Sequence, residues 1–153
     1  MGEGENVGRT VSVVQSIKQK PCKPEPYPGD SIIKGIIGGA FRKEIEPIRE
    51  KIEGILAKGG DLKAAKKGVS RQKHKLPAIM WAGHFADRKT LLDHSGLLCI
   101  DIDEIGADTR AAIGALRNHP SIYAVFKSPS GDGMKAVFRV PPDENMHAFA
   151  WRA

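Results

Sequence analysis

Cysteine is nearly absent from this chain: Cys22 and Cys99 are the only two in 153 residues. They are far apart and form no C-x-x-C pair. That excludes a disulfide framework and a thiolate zinc site, and fits a reducing, cytoplasmic setting. Aromatic residues make up only 6%, so the core must be built mainly from aliphatic side chains. No apolar run approaches the roughly 18 residues a membrane-spanning helix needs, which excludes that partner. The opening MGEGENVGRT is acidic and glycine-rich with no apolar stretch behind it, so it does not read as a secretory signal. Asn6 stands where myristoylation requires Ser or Thr. The histidines His74, His84, His94, His119 and His147 show no H-x-x-x-H or H-E-x-x-H spacing, and no G-x-S-x-G elbow is present.

What is there is 41% hydrophobic and 27% charged, a composition for one ordinary soluble domain. The net charge of +6 is unevenly placed. Residues 1–75 carry 16 Lys and Arg against 9 Asp and Glu, whereas residues 76–153 carry 8 against 9. The densest block runs from Lys58 to Lys75, with seven basic residues and one acid, Asp61. Such a block attracts polyanions, and Lys63, Lys66, Lys67, Arg71 and Lys73 are candidate nucleic-acid contacts. The plainer alternative is a solvated basic loop.

Val11–Ile17 reads as a first strand, and KPCKPEPYPGD, crowded with prolines, as an extended connector. Asp30 or Ser31 is placed to cap a short helix ending near Gly38-Gly39. Phe41, Ile45, Ile48, Ile52, Ile55 and Leu56 recur at three- and four-residue steps, predicting an amphipathic helix stopped by Gly59-Gly60. The basic stretch follows as loop or weak helix. Leu76–Trp81 reads as a strand, Asp87–His94 as a polar helical segment, and Gly96–Asp103 as the most strand-like stretch of all. A helix from Asp108 or Thr109 to Arg117, a strand at Ile122–Lys127, a turn at Ser128–Gly133 and a returning strand at Met134–Val140 come next. A last helix is expected over Asp143–Trp151. The fold class is therefore α+β. Residues 96–140 form a βαββ unit on an RRM-like or ferredoxin-like plan, preceded by an N-terminal α/β lead over 1–75. The second half, 76–153, lacks the final strand of that plan, so the sequence reads as C-terminally truncated.

Two motifs carry chemistry. Asp101 and Asp103 are two apart on a strand and leave the same face, where paired carboxylates can hold Mg²⁺ or Mn²⁺. Alternatively, the strand simply ends in solvated acids. In SPSGDGMKAVFRV, the residues Ser130, Gly131 and Gly133 make a small-residue loop open to close approach by a phosphate, and Lys135 follows on a strand as a point charge. The alternative is a plain hairpin turn. The stretch is neither a P-loop nor a Rossmann fingerprint, because strand formers follow Gly133. Trp81, Phe85 and Phe126 read as core, and Cys99 as a small buried hydrophobe.

With both motifs in view, LLCIDID followed some 25 residues later by SPSGDGMK resembles motifs I and II of the archaeo-eukaryotic primase superfamily. The closer likeness is to the N-terminal primase-like domain of virulence-associated protein E and related mobile-element replication proteins, with counterparts also to KLPAIMWAGHF (75–85) and HSGLLCIDID (94–103). It covers residues 70–140 well and the first 70 loosely. The resemblance implies a primase-polymerase fold and a nucleotidyltransferase of DNA replication. Asp101 and Asp103 would bind the catalytic metals, and Ser130, Gly131 and Gly133 would cradle a nucleoside triphosphate. Lys135 stands where the superfamily usually has His, as in the closer branch. A single-stranded DNA or RNA template and a replicative helicase domain or protein are the implied partners. The third carboxylate of the pattern has no clear counterpart, since Asp143 and Glu144 come too soon. Two rival functions remain open on the residues alone: a non-catalytic nucleic-acid-binding module and a metal-dependent phosphohydrolase.

Overall fold

In the computed structural model, which describes residues 9–142, the valines of TVSVV build β1 (Thr10–Val14), with Val11, Val13 and Val14 buried. β1 is the middle strand of an antiparallel sheet, between β2 (Glu25–Pro28) and β3 (Ala78–Met80). The proline-rich stretch therefore contains a strand as well as a connector. Pro26 and Pro28 lack the donor a central ladder needs, and an edge tolerates them. α1 (Gly29–Ile37) follows at once and ends at Gly38. Neither Asp30 nor Ser31 caps it; Pro28 is the N-cap, and the Asp30 carboxylate instead accepts a hydrogen bond from the Tyr123 hydroxyl.

α2 (Arg42–Ala57) follows the apolar periodicity and buries Ile48 and Ile52. These meet Ala65 and Val69 in a small core of their own, flanked by Ile55, Leu62 and Leu76. That contact orders the basic stretch into α3 (Leu62–Gly68) and α4 (Ser70–His74). Asp61 caps α3 by accepting from the Ala64 amide at 2.7 Å.

The polar helix expected over Asp87–His94 is instead a hairpin of β4 (Gly83–Phe85) and β5 (Leu91–His94). Asp87 decides it. Its carboxylate accepts from the amides of Lys89 and Thr90 at 2.8 and 2.9 Å and from the Thr90 hydroxyl at 3.0 Å. This local turn competes with a helix and wins.

β6 (Leu97–Ile102), α5 (Thr109–Leu116), β7 (Ile122–Lys127) and β8 (Met134–Arg139) complete the described chain. The sheet order is β6-β8-β7, with β8 antiparallel to both neighbours, so β6 and β7 run parallel on either side of it. Val11, Trp81, Leu97 and Val137 form the core that joins this sheet to the first, with Ile32, Ile33 and Ile36 of α1 packed on it. The helix expected over Asp143–Trp151 lies outside the described residues. Among the described residues, no helix is long and apolar enough to cross a membrane.

Candidate functional site

Strand register sets the floor of the site. Asp101 on β6 pairs with Lys135 on β8, which pairs with Phe126 on β7, and the neighbouring row toward the core is Cys99, Val137 and Ala124. The same sheet face thus passes from apolar to charged within one step. Lys135 Nζ donates to Asp101 Oδ1 at 2.5 Å, with the Asp101 side chain 60% exposed. Asp103, just past the end of β6, lines the same cleft of about 1020 Å³, roofed by α1, α2 and β3. Ile36, Ile79, Cys99 and Phe126 supply apolar lining, while Arg49, Lys73 and Lys127 add charge to the two aspartates and Lys135.

The 128–133 turn closes one side of this cleft, and its polar groups are largely satisfied from within. Ser128 Oγ accepts the Gly133 amide at 3.3 Å and lies 3.2 Å from Ser130 Oγ, which donates to the Asp132 carboxylate. The Gly131 amide donates to the Ser128 carbonyl at 3.0 Å. Arg49 of α2 holds the turn from outside, donating from Nη2 to the Ser128 carbonyl at 3.0 Å and from Nε to the Pro129 carbonyl at 3.3 Å. The Asp132 carbonyl accepts the amides of Ile105 and Gly106 at 3.0 Å each. The turn is thereby tied to the chain leaving β6, where Glu104 sits at φ 60, a strained value for a side-chain-bearing residue.

Two glycines shape the turn rather than line the cleft. Gly131 has φ +83, a conformation that favours glycine. At Gly133 a Cβ would stand 2.3 Å from the Ile102 carbonyl and 3.2 Å from Asp103 Oδ1. Backbone cannot yield as a side chain does, so Gly133→Ala should cost about 1–3 kcal/mol, the range for overpacking a tight site. Thermal melts should show the loss, and an unchanged melting temperature would mean the turn is looser than its geometry.

Electrostatics separates the groups. Burial works to raise the Asp132 carboxyl, but the Lys66 ammonium paired with it and a hydrogen bond from Ser130 outweigh it and hold it below the usual carboxylate range. Lys66 Nζ lies 2.7 Å from Asp132 Oδ2, and this bond holds the ammonium above the ordinary lysine value, with Asp103 and Glu104 adding attraction. Burial pushes the Cys99 thiol up to about 11, so it is a neutral wall and not a thiolate ligand. Among the described residues, no three His, Cys, Asp or Glu side chains converge on one point. A divalent ion held by Asp101 and Asp103 would take its other ligands from water and phosphate oxygens. Mg²⁺ accepts that arrangement, so the two carboxylates fit such an ion as partial ligands.

The structure therefore brings Asp101, Asp103, Ser130 and Lys135 to one cleft. It divides the basic segment. Lys66 pairs with Asp132, Lys73 lines the cleft, Lys67 and Arg71 line a separate pocket, and Lys63 lines neither. Arg49 and the buried Asp132 are the residues that sequence reasoning missed. Asp132 lay in plain view as part of an Asp-Gly turn signal, while Arg49 carried no signal beyond being one cation on an amphipathic helix.

A search among curated proteins and one among solved structures found no match. A family model described as BT4734-like, N-terminal domain, matches residues 71–150, which include both motifs and the floor of the cleft. That match spans just over half of the 153 residues, and the chain belongs to the BT4734-like N-terminal domain family.

Proposed function

We propose that this chain is a primase-polymerase-like domain of a mobile-element DNA replication protein, one that binds a nucleoside triphosphate with a divalent ion for nucleotidyl transfer in the cytoplasm. The observation that carries the reading is the Asp101–Lys135 cross-strand pair on the floor of a cleft also lined by Asp103 and Ser130. Carboxylates that bring an ion beside an ammonium that meets phosphate are what a triphosphate needs. A cleft of about 1020 Å³ has room for one. Apolar lining from Ile79, Cys99 and Phe126 gives a base a dry neighbour. The β6-α5-β7-β8 succession, with β8 between two parallel strands, supports an RRM-like catalytic unit.

One observation favours a second reading, a nucleic-acid-binding module without turnover: among the described residues no third acidic or imidazole ligand joins Asp101 and Asp103. Metal dependence separates the two. Water-proton relaxation should reveal a weak Mn²⁺ site that strengthens with added triphosphate and disappears in Asp101→Asn with Asp103→Asn. A double variant that binds Mn²⁺ and nucleotide like the wild type would remove the first reading and leave the second.

A further inference from the structure

The basic segment contains a second, independent arrangement. Lys51 of α2, Lys67 of α3, Arg71 of α4 and Lys75 at the end of α4 line one pocket of about 540 Å³ together with Gly68 and Gln72. No acid lines it, and it shares no residue with the Asp101 cleft. All four cations are exposed, and none has a hydrogen bond or ion pair to another side chain among the described residues. In sequence, Lys67, Arg71 and Lys75 stand four apart, on α3, on α4 and at the α4 C-cap. Like charges at that spacing repel and weaken a helix. The helices persist because Ala65 and Val69 anchor them to Ile48 and Ile52, which also fixes the backbone that carries the cations. A set of unneutralised cations around a concavity with no acid in its lining is complementary to a polyanion. Four cations around one pocket exceed the charge of any single phosphate group, so the set suits a chain of them.

We propose that the pocket formed by Lys51, Lys67, Arg71 and Lys75 grips phosphates of a single nucleic-acid strand. This deepens the reading above by giving a template strand a location away from the cleft. It moves the contact from Lys66 and Lys73 to two cations outside the candidates named from sequence, Lys51 and Lys75.

Anisotropy of a labelled oligodeoxythymidylate, titrated across a range of salt, tests it. For single strands the log–log slope is about −0.7 per phosphate neutralised, so Lys67→Gln with Arg71→Gln should flatten it by about 1.4. Lys51→Gln with Lys75→Gln should do the same from other helices, so that a folding defect in one pair leaves the other to decide. Lys34→Gln with Lys43→Gln, outside the pocket, should leave the slope alone. An equal flattening in that pair would mean diffuse attraction and overturn the pocket. Inorganic tripolyphosphate distinguishes the source of phosphate. If the pocket variants lose tripolyphosphate and keep the oligonucleotide, the strand assignment is overturned. A chain that binds no nucleoside triphosphate yet shows the pocket-dependent slope overturns the reading of the cleft and keeps this one.

Discussion

Lys135→Ala is expected to lower nucleoside triphosphate affinity by about 10- to 150-fold, the equivalent of a charge-assisted contact of about 1.5–3 kcal/mol, while raising the affinity for Mn²⁺ alone. The opposite signs follow from the 2.5 Å bond between Lys135 Nζ and Asp101 Oδ1. Without nucleotide, the ammonium occupies one lone pair of the carboxylate that an ion would use, and removing it frees that oxygen. With nucleotide, the same ammonium is free to turn to phosphate, and removing it deletes a contact. A bare nucleoside, having no phosphate, should bind the variant as it binds the wild type. Asp101→Asn should remove the Mg²⁺-dependent part of triphosphate binding. The double variant should lose less than the sum, because ion and ammonium share one ligand. Calorimetry on the four proteins with triphosphate, nucleoside and Mn²⁺ reads all of this. Equal losses for triphosphate and nucleoside, or a fall in Mn²⁺ affinity, would show that Lys135 supports the sheet and meets no phosphate.

How much of this was legible in the sequence depends on the range of the interaction that decided each element. β6, β7 and β8 are visible because each is a short apolar run whose alternation survives into the fold, as with Leu97, Cys99 and Asp101 on one face. α2 is visible because its period is local. The 83–94 hairpin was missed because one side chain, Asp87, supplies a turn that average propensity does not record. The basic segment was half legible. Its charge is plain, but which cations are free depends on partners far along the chain: Lys66 is taken by Asp132 and Lys73 is turned to the cleft. Nothing in either local sequence announces those pairings. The βαββ unit made the strands of the aspartates and Lys135 possible neighbours, and the resemblance put them in one site. Their cross-strand pairing and the Arg49 brace on the 128–133 turn needed the tertiary structure to be seen.

Asp132→Ala should be the most damaging single change outside the apolar core, at about 2–4 kcal/mol. Breaking a buried ion pair typically costs about 3–5 kcal/mol, because the surviving charge is stranded. Here Lys66 keeps 25% of its side-chain surface exposed and can turn toward water, which lowers that cost. The Ser130 hydroxyl adds to it, since it loses the carboxylate it donates to, at about 1 kcal/mol. At about 2–4 °C per kcal/mol for a chain of this size, the melting temperature should fall by roughly 4–16 °C. The gap between wild type and Asp132→Asn should also depend on pH. The Asp132 carboxyl is depressed in the folded state, so its contribution is complete above the unfolded value of about 3.9 and fades as pH falls through the lower folded value. Lys66 is raised, so its contribution is complete below the unfolded value of about 10.4 and fades only as pH climbs past that. The gap should therefore be level between these limits and close at both ends. Lys66→Met should show the same closing at low pH, and the double variant should be less damaged than the two singles added together. The consequence reaches the site, because Asp132 joins Ser130 by its carboxylate and the chain beyond Asp103 by its carbonyl. The variant that loses stability should also lose triphosphate affinity at temperatures where it is still folded. A gap that persists unchanged to pH 3, or additive losses in the double variant, would mean that Lys66 and Asp132 sit side by side without holding the turn.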